Sequence, residues 1–287
     1  MWWDWLVGVA LALVTALPLA WKWQLGLRRT ATGVGGLGIM TGMLVVPTAR
    51  WLSLGAGARA GLTWLTTLGL ALVTLAYRFF RDPERRPPDD SGAIVSPADG
   101  EVLYVRESHG GMLPVANKQG QCYPLYELTR TPLRAQDAVV VGIGMSFLDV
   151  HVNRAPIGGR VVLRRHFPGQ FGSLRRPGMA FANERATTVI ERGDLQVAVV
   201  QIASRLVRQI VGFVREGDDV ALGQRLGVIR LGSQVDLVVP ARPDLKVVVQ
   251  AGARVVAGES VVATVECASA PAPAQAGAST SSSAPSE

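Results

Sequence analysis

The sequence predicts a β-dominated domain, all-β or α+β, preceded by transmembrane helices at its N-terminus. Three observations carry that prediction. Residues 1–77 hold long apolar runs with a single acid, Asp4, and five bases, Lys22, Arg28, Arg29, Arg50 and Arg59. From Ala93 onward, short Val/Ile-rich runs alternate with glycine and proline, and no 3.6-residue periodicity is sustained. A Gly-x-x-Val-x-x-Gly unit followed by a strand-like run occurs twice, at Gly217–Gly223 and Gly252–Gly258.

Composition narrows the partners. The chain has 287 residues, is 48% hydrophobic and carries a formal net charge of +7 that is dominated by arginine. Such a balance suits an anionic surface. No helix-turn-helix, zinc-finger or aromatic RNA-binding pattern is present, so no nucleic-acid partner is expected and a lipid surface fits better. Cys122 and Cys267 have no Cys-x-x-Cys spacing, which gives neither a metal site nor a disulfide framework and points to a reduced compartment.

Taken in order, Trp5 to Trp21 is apolar with tryptophans at both ends, as at membrane interfaces, and is near the minimum length for a span. A signal peptide fits less well, because Asp4 precedes the run and no basic region or small-residue cleavage site flanks it. Gly33 to Ala49 is glycine-rich and holds Pro47; both a span and a re-entrant segment suit it. Leu62 to Tyr77 is a clean span, so the anchor over 1–77 has two to three transmembrane helices. Three spans with the following domain in the cytoplasm place Lys22, Arg28 and Arg29 inside and Arg50 and Arg59 outside, in the positive-inside sense. Asp82 to Asp90 is charged and proline-rich, a linker that opens a domain running from 78 to 267.

That domain contains strand-like runs at 93–95, 101–105, 138–143, 160–163, 187–190, 196–202, 209–214, 225–231, 235–239, 246–250 and 260–266. The duplicated Gly-x-x-Val-x-x-Gly unit resembles the turn-and-strand unit of the lipoyl/biotinyl barrel-sandwich fold, although no exposed Asp-Lys-Ala tip is present for lipoylation. Residues 268–287 are almost entirely Ala, Pro, Ser and Thr and are expected to be disordered.

Four places invite a chemical reading. Gly232-Ser233 joins two strand-like runs; read alone it is better taken as a hairpin corner, a common use of Gly-Ser, and the alternative is a place where the backbone reacts, since glycine leaves its carbonyl unshielded. In Phe147–Pro156, a strand would put Asp149, His151 and Asn153 on one face, either a surface with a structural histidine or a proton-transfer site. Ser96-Pro97-Ala98-Asp99-Gly100 reads as an ordinary turn, or as a fixed aspartate able to orient a histidine. Arg164 to Ala182, followed by Asn183-Glu184-Arg185, reads as a solvated loop or an anion-binding lid. His109 and His166 are placed in loops.

Together these residues resemble a family. Phe79-Phe80-Arg81-Asp82-Pro83-Glu84-Arg85, Ser96-Pro97-Ala98-Asp99-Gly100, Asp149-Val150-His151-Val152-Asn153-Arg154-Ala155-Pro156, Asn183-Glu184-Arg185 and Leu231-Gly232-Ser233 occur in this order. The set, covering roughly residues 78–240, is similar to phosphatidylserine decarboxylase, in particular its short membrane-anchored prokaryotic branch. Leu231 and Gln234 stand where that branch commonly has Phe and Arg.

The resemblance implies a proenzyme that cuts itself between Gly232 and Ser233. His151, oriented by Asp99, takes the Ser233 proton, and the oxygen attacks the Gly232 carbonyl. β-Elimination and hydrolysis then convert Ser233 into a pyruvoyl group, the covalent cofactor, at the head of a small chain 233–287 beside a large chain 1–232. The pyruvoyl ketone forms a Schiff base with phosphatidylserine, CO₂ leaves, and His151 reprotonates the product to phosphatidylethanolamine. No metal is implied. Arg154, Asn153 and Arg185, with other arginines of 164–185, are the candidate binders of the lipid phosphate or carboxylate. The implied location is the cell (inner) membrane with the domain on the cytoplasmic side, and a homodimer is left open. Two other classes fit parts of the sequence: a membrane-anchored adaptor with lipoyl-like hairpins, and a hydrolase with Ser233, His151 and Asp99 as a standing triad, which lacks a Gly-x-Ser-x-Gly elbow.

Overall fold

The computed structural model describes residues 3–23, 25–114, 122–174, 178–204, 209–229 and 233–265, with the backbone alone at Arg50 and Ser233. Gly232, its bond to Ser233 and the 268–287 tail lie outside the described residues. Helices α1 (Asp4–Trp23), α2 (Leu27–Trp51) and α3 (Ala56–Phe80) come first. All three are long and apolar enough to cross a membrane. The second apolar run is one continuous helix, with Pro47 in its last turns, so it has the length of a span. The third helix ends at Phe80, three residues beyond Tyr77.

Small residues let these helices approach, the usual means of packing where lipid is as apolar as leucine. A Cβ on Gly8 would sit 2.4 Å from the Ala60 carbonyl oxygen, and one on Gly38 or Gly42 would strike Val9 or Trp5. The Thr41 and Thr67 hydroxyls hydrogen-bond at 2.7 Å between α2 and α3. Hence α1 and α3 run parallel and pack directly on each other, α2 returns antiparallel against both, and the Arg59–Asp4 pair marks the end away from the β domain.

The remaining chain is strand-rich. It begins with β1 (Ala93–Val95), β2 (Gly100–Glu107), β3 (Met112–Pro114), β4 (Cys122–Pro124), helix α4 (Leu125–Thr129) and β5 (Ala138–Met145). Then come β6 (Val152–Arg154), β7 (Gly159–Phe167), helix α5 (Met179–Ala182), β8 (Arg185–Arg192), β9 (Leu195–Ala203), β10 (Ile210–Gly212), β11 (Asp219–Val220) and β12 (Arg225–Ile229). The last are β13 (Ser233–Pro240), β14 (Leu245–Val247), β15 (Arg254–Val255) and β16 (Val261–Val265). Each run expected to be a strand overlaps one, but 248–250 and 213–214 are not strand, and residues 230, 231 and 266 lie outside the described residues. His166, expected in a loop, is on β7, and the 164–182 segment is strand up to Phe167 and helix from Met179.

Two copies of one unit build the domain. The eight-stranded sheet has the order β11-β7-β8-β9-β13-β5-β2-β15, and the three-stranded sheets are β1-β16-β14 and β10-β12-β6. The first four strands of the large sheet repeat the last four about the β9–β13 pair. Register repeats too: β2 on β5 and β7 on β8 each skip one residue, after Val102 and after Val161. The turns match bond for bond. Gly252 donates to the Val102 carbonyl and Gly258 to Ser96, as Gly217 does to Val161 and Gly223 to Ala155. A shift of 59 relates Val102 to Val161, and the same shift relates Asp99 to Gly158, Gly92 to His151 and Val95 to Arg154. The duplicated hairpin expected from Gly-x-x-Val-x-x-Gly is thus one corner of a duplicated seven-strand unit.

Only the second unit, β6–β12, is continuous. The first unit holds β1, β2, β5 and β13–β16, and the second is inserted between Met145 and Ser233. The two ends of the large sheet meet where Gly223 and Gly258 pack together: a Cβ on Gly258 would lie 3.3 Å from the Gly223 Cα. Both glycines have φ near +75°, a conformation that other residues adopt only with strain. Within this closure lies the main core, with Val102, Ile143, Val161, Ile190, Val199, Val220, Leu237 and Val255 all buried. Each such side chain contributes about 1.5–3 kcal/mol. Along β13, Val235, Leu237 and Val239 face that core, while Val238 joins a second cluster with Leu113, Leu128 and Phe181 on the other face.

Candidate functional site

An inserted unit must leave and re-enter its host at neighbouring points. The chain leaves unit one at Met145 and returns at Ser233, and these two residues are register partners, with Ala203 of β9 opposite Ser233 on the other side. His151 stands just past the exit, and Ile229, the last described residue before the return, donates its amide to the His151 carbonyl at 3.2 Å. His151, expected on a strand face with Asp149 and Asn153, instead precedes β6, and Asp149 lies in the preceding turn. All three are buried rather than exposed.

The imidazole is fixed in one tautomer. Its Nδ1 lies 2.8 Å from the Asp149 carbonyl oxygen, which only accepts, so Nδ1 carries the proton and donates it. Nε2 is left with its lone pair, buried, and among the described residues it has no hydrogen-bond partner. Burial is the main influence on its titration and lowers the pKa from 6.5; the Asp149 bond and the charges of Asp149 and Asp99 act the other way. The arrangement is that of a neutral, dry base.

Asp99 is close enough for its charge to act on His151, but it makes no hydrogen bond to the ring. Its carboxylate receives two bonds from the Arg85 guanidinium, at 2.9 and 3.2 Å, and one from the Ala257 amide at 2.8 Å. The orienting bond that sequence reasoning placed on Asp99 is made by the Asp149 carbonyl. The Asp149 carboxylate is in turn held by the Ser146 amide at 2.7 Å and by Arg254. Both acids are therefore tethered from the Gly252–Gly258 turn.

Asn153 accepts from Gln201 Nε2 at 2.7 Å and places its own amide 3.8 Å from Met145 Sδ, beside the start of β13. Gln201 Oε1 is buried without a partner. Arg154 and Arg185 are built into the fold instead. Arg154 donates to Asp82, to the Pro83 carbonyl and to the Gly223 carbonyl, tying the linker to the closure point. Arg185 donates to the carbonyls of Glu127, Leu128 and Asn183, and burial lowers its pKa to about 10. Asn183 fastens Gly172 and the Ala203 carbonyl at the edge of the site. Arg164, Arg165, His166 and Arg215 line an open cleft with Ile210, the register partner of Ile229; there Arg164 donates to Thr188 at 2.7 Å and His166 Nε2 lies 2.8 Å from Glu184.

Next to Ser233 on β13, Gln234 donates to Tyr104 and Asp236, and Tyr104 donates to Asp236. Burial raises the Asp236 carboxyl to about 6 and the Tyr104 hydroxyl well above its usual range. Sequence reasoning missed Gln201, Arg254 and this trio, whose partners are far away in the chain. Arg85 and Phe79 lay inside a quoted motif without a role. Among the described residues, no group of three His, Cys, Asp or Glu side chains could hold a metal ion.

The phosphatidylserine decarboxylase family model matches residues 72–263. A phosphatidylserine decarboxylase proenzyme of Pelobacter propionicus is 35% identical over 236 residues, covering 82% of this chain and 97% of its own. The proenzyme of Erythrobacter litoralis is 43% identical over 201 residues, covering 68% and 74%. A protein of Methanocaldococcus jannaschii provisionally named an archaetidylserine decarboxylase proenzyme is 40% identical over 193 residues, covering 67% and 91%.

Proposed function

This chain belongs to the phosphatidylserine decarboxylase family, and on that premise we propose that His151 is its proton carrier and Gly232-Ser233 its processing site. It is a self-processing proenzyme that releases CO₂ from the serine headgroup of phosphatidylserine to give phosphatidylethanolamine. Neither the adaptor nor the standing-triad hydrolase finds support in the matched family. The observation that carries the residue assignment is the buried Nε2 of His151, without a partner among the described residues, beside the point where the chain returns to Ser233.

In processing, His151 Nε2 removes the Ser233 hydroxyl proton as the oxygen attacks the Gly232 carbonyl. The Gly232–Ser233 amide becomes an ester, β-elimination releases the Gly232 carboxylate, and hydrolysis with loss of ammonia leaves a pyruvoyl group at 233. Such a group fits these surroundings. Ser233 opens a strand paired on both sides along its length, so a cut before it leaves the small chain 233–287 bound to the large chain 1–232. Bound at that position, the pyruvoyl group supplies an electron-withdrawing carbonyl for the charge left by departing CO₂. His151 Nε2 takes a proton from the headgroup ammonium, whose amine must be neutral to react, and returns one to the headgroup carbon after CO₂ leaves. Asp99 and Asp149 favour the transient imidazolium through their charge. Arg254 and the Ala257 amide, which hold those acids, belong to the small chain, so the mature site joins both chains.

Phosphate recognition suits Arg165 and Arg215 of that cleft better than Arg154 and Arg185, whose donors are engaged with carbonyls and a carboxylate of the protein. The three helices put the β domain at the end where Lys22, Arg28 and Arg29 lie, while Arg59 at the other end is neutralised by Asp4. The charge bias favours a cytoplasmic domain at the inner membrane.

The test is a denaturing gel with intact-mass analysis of the full chain. Two chains divided at 232/233 are expected, the smaller reactive with hydrazines, and Ser233→Ala should stay uncut. A single uncut wild-type chain that still turns over lipid overturns the reading.

A further inference from the structure

The last turn of a membrane helix reaches the catalytic loop. Phe79, the penultimate residue of α3, is buried, and its ring centroid lies 4.5 Å from that of His151 with planes 42° apart. The same ring is 5.1 Å from Phe147, and Phe147 stacks at 5.9 Å and 10° on Trp23, the last residue of α1. Arg81 donates to the Leu148 carbonyl at 3.1 Å. The 146–151 loop is thus gripped by the ends of two apolar helices, and the neighbouring Phe80 points away, 72% exposed.

The imidazole has few freedoms left. Nδ1 is tied to Asp149, the main chain to Ile229, and one ring face is covered by Phe79. Without that ring, χ2 of His151 would be held by a single hydrogen bond, and water would gain access to a base that is now dry. We propose that Phe79 is a positioning residue for His151, so that docking of the membrane helices on the catalytic loop is part of the active site and not merely a tether. This rests on the reading of His151 as proton carrier. The groups whose charge faces His151 are Asp149, paired with Arg254, and Asp99, paired with Arg85; none of them is on α3.

The experiment uses the full chain in vesicles of phosphatidylcholine and phosphatidylserine. Phe79→Ala, Phe79→Tyr and Phe80→Ala are compared for the rate of chain cleavage and, on the cleaved enzyme, for kcat and KM against pH. Phe79→Ala is expected to lower kcat about 10-fold with KM within 2-fold, and to move the acid limb of the kcat profile to higher pH, because a wetter imidazole protonates more readily. Phe79→Tyr should restore both, and Phe80→Ala should change neither. If Phe79→Ala fails to fold, Phe79→Leu keeps the bulk without the ring and should show the same shift in smaller measure. An unmoved acid limb, or a loss carried wholly by KM, overturns the proposal. His151→Ala separates the two ideas: cleavage at the normal rate in that variant sinks the proton-carrier reading itself, whereas a null result at Phe79 alone leaves that reading standing.

Discussion

Where unit two carries His151, unit one carries Gly92; where unit one carries Asp99, unit two carries Gly158. The backbones around these pairs match: the amide of Val265 donates to Gly92 as that of Ile229 does to His151. The same frame thus holds a base in one copy and its nearby acid in the other. Trp23 and Phe79 pack on the loop of unit two, while the equivalent turn of unit one is a plain bend closed by Asp90. A duplicated scaffold supplies positions. Chemistry is concentrated where one copy interrupts the other, because an insertion brings its two ends to one place.

That contrast is broken most sharply at its centre. His151→Ala should reduce self-cleavage at least about 10³-fold, read as a single uncut band, if it is the base. Gly92→Ala, whose Cβ would meet the Val265 carbonyl oxygen at 2.5 Å, should lower stability yet still give two chains. Cleavage lost equally in both variants would mean that strand geometry, not the imidazole, controls processing.

Asp99→Asn should slow cleavage about 10²-fold by disturbing the charge and the turn beside His151. It should also cost about 3 kcal/mol in urea unfolding, since Arg85 loses its nearest partner in a largely buried pair and keeps only Glu259 at 3.7 Å. Arg154→Ala should cost a similar amount, about 3 kcal/mol, because Asp82 keeps only Arg225 of its two arginine partners and the Pro83 and Gly223 carbonyls lose their donor. Turnover per folded molecule should be unchanged; a selective rise in KM for phosphatidylserine would restore Arg154 as a lipid ligand.

The smallest effect concerns the polar trio in unit one. Asp236, Tyr104 and Gln234 occupy the places of Ala198, Leu163 and Gln196 in unit two, as the matching registers show. With its carboxyl raised from 3.8 to about 6, Asp236 holds a proton in the folded state that the unfolded chain releases earlier. The stabilisation from that proton is present below pH 3.8 and is lost as pH rises through 6. Between pH 5 and 7.5 the wild type should therefore lose about 1 kcal/mol relative to Asp236→Asn, measured by denaturant unfolding at each pH. A constant difference would place the Asp236 titration elsewhere.

Much of this was legible in the residues. Val/Ile runs bounded by glycine and proline located the strands, since alternating burial demands alternating apolarity, and the apolar runs before Tyr77 located the helices. The paired Gly-x-x-Val-x-x-Gly signalled a repeat because turns with positive φ need glycine at fixed places. The rest of the duplication was illegible, for the units share hydrogen bonds and register rather than residue identity. Arg154 and Arg185 looked like anion ligands for the same reason: a sequence displays a guanidinium but not the carbonyls that surround it.

The amino-acid sequence by itself determined that the chain has an apolar helical anchor, a β-dominated domain and an ordered set of motifs ending in Gly-Ser. Only the tertiary structure decided that Asp149, not Asp99, sets the histidine tautomer, that Arg254 and Ala257 reach back to hold both acids, and that Phe79 covers the ring. Those contacts join residues as much as 158 positions apart, and no local periodicity encodes them. They exist because a curled sheet with one unit threaded into the other returns its ends to a single point.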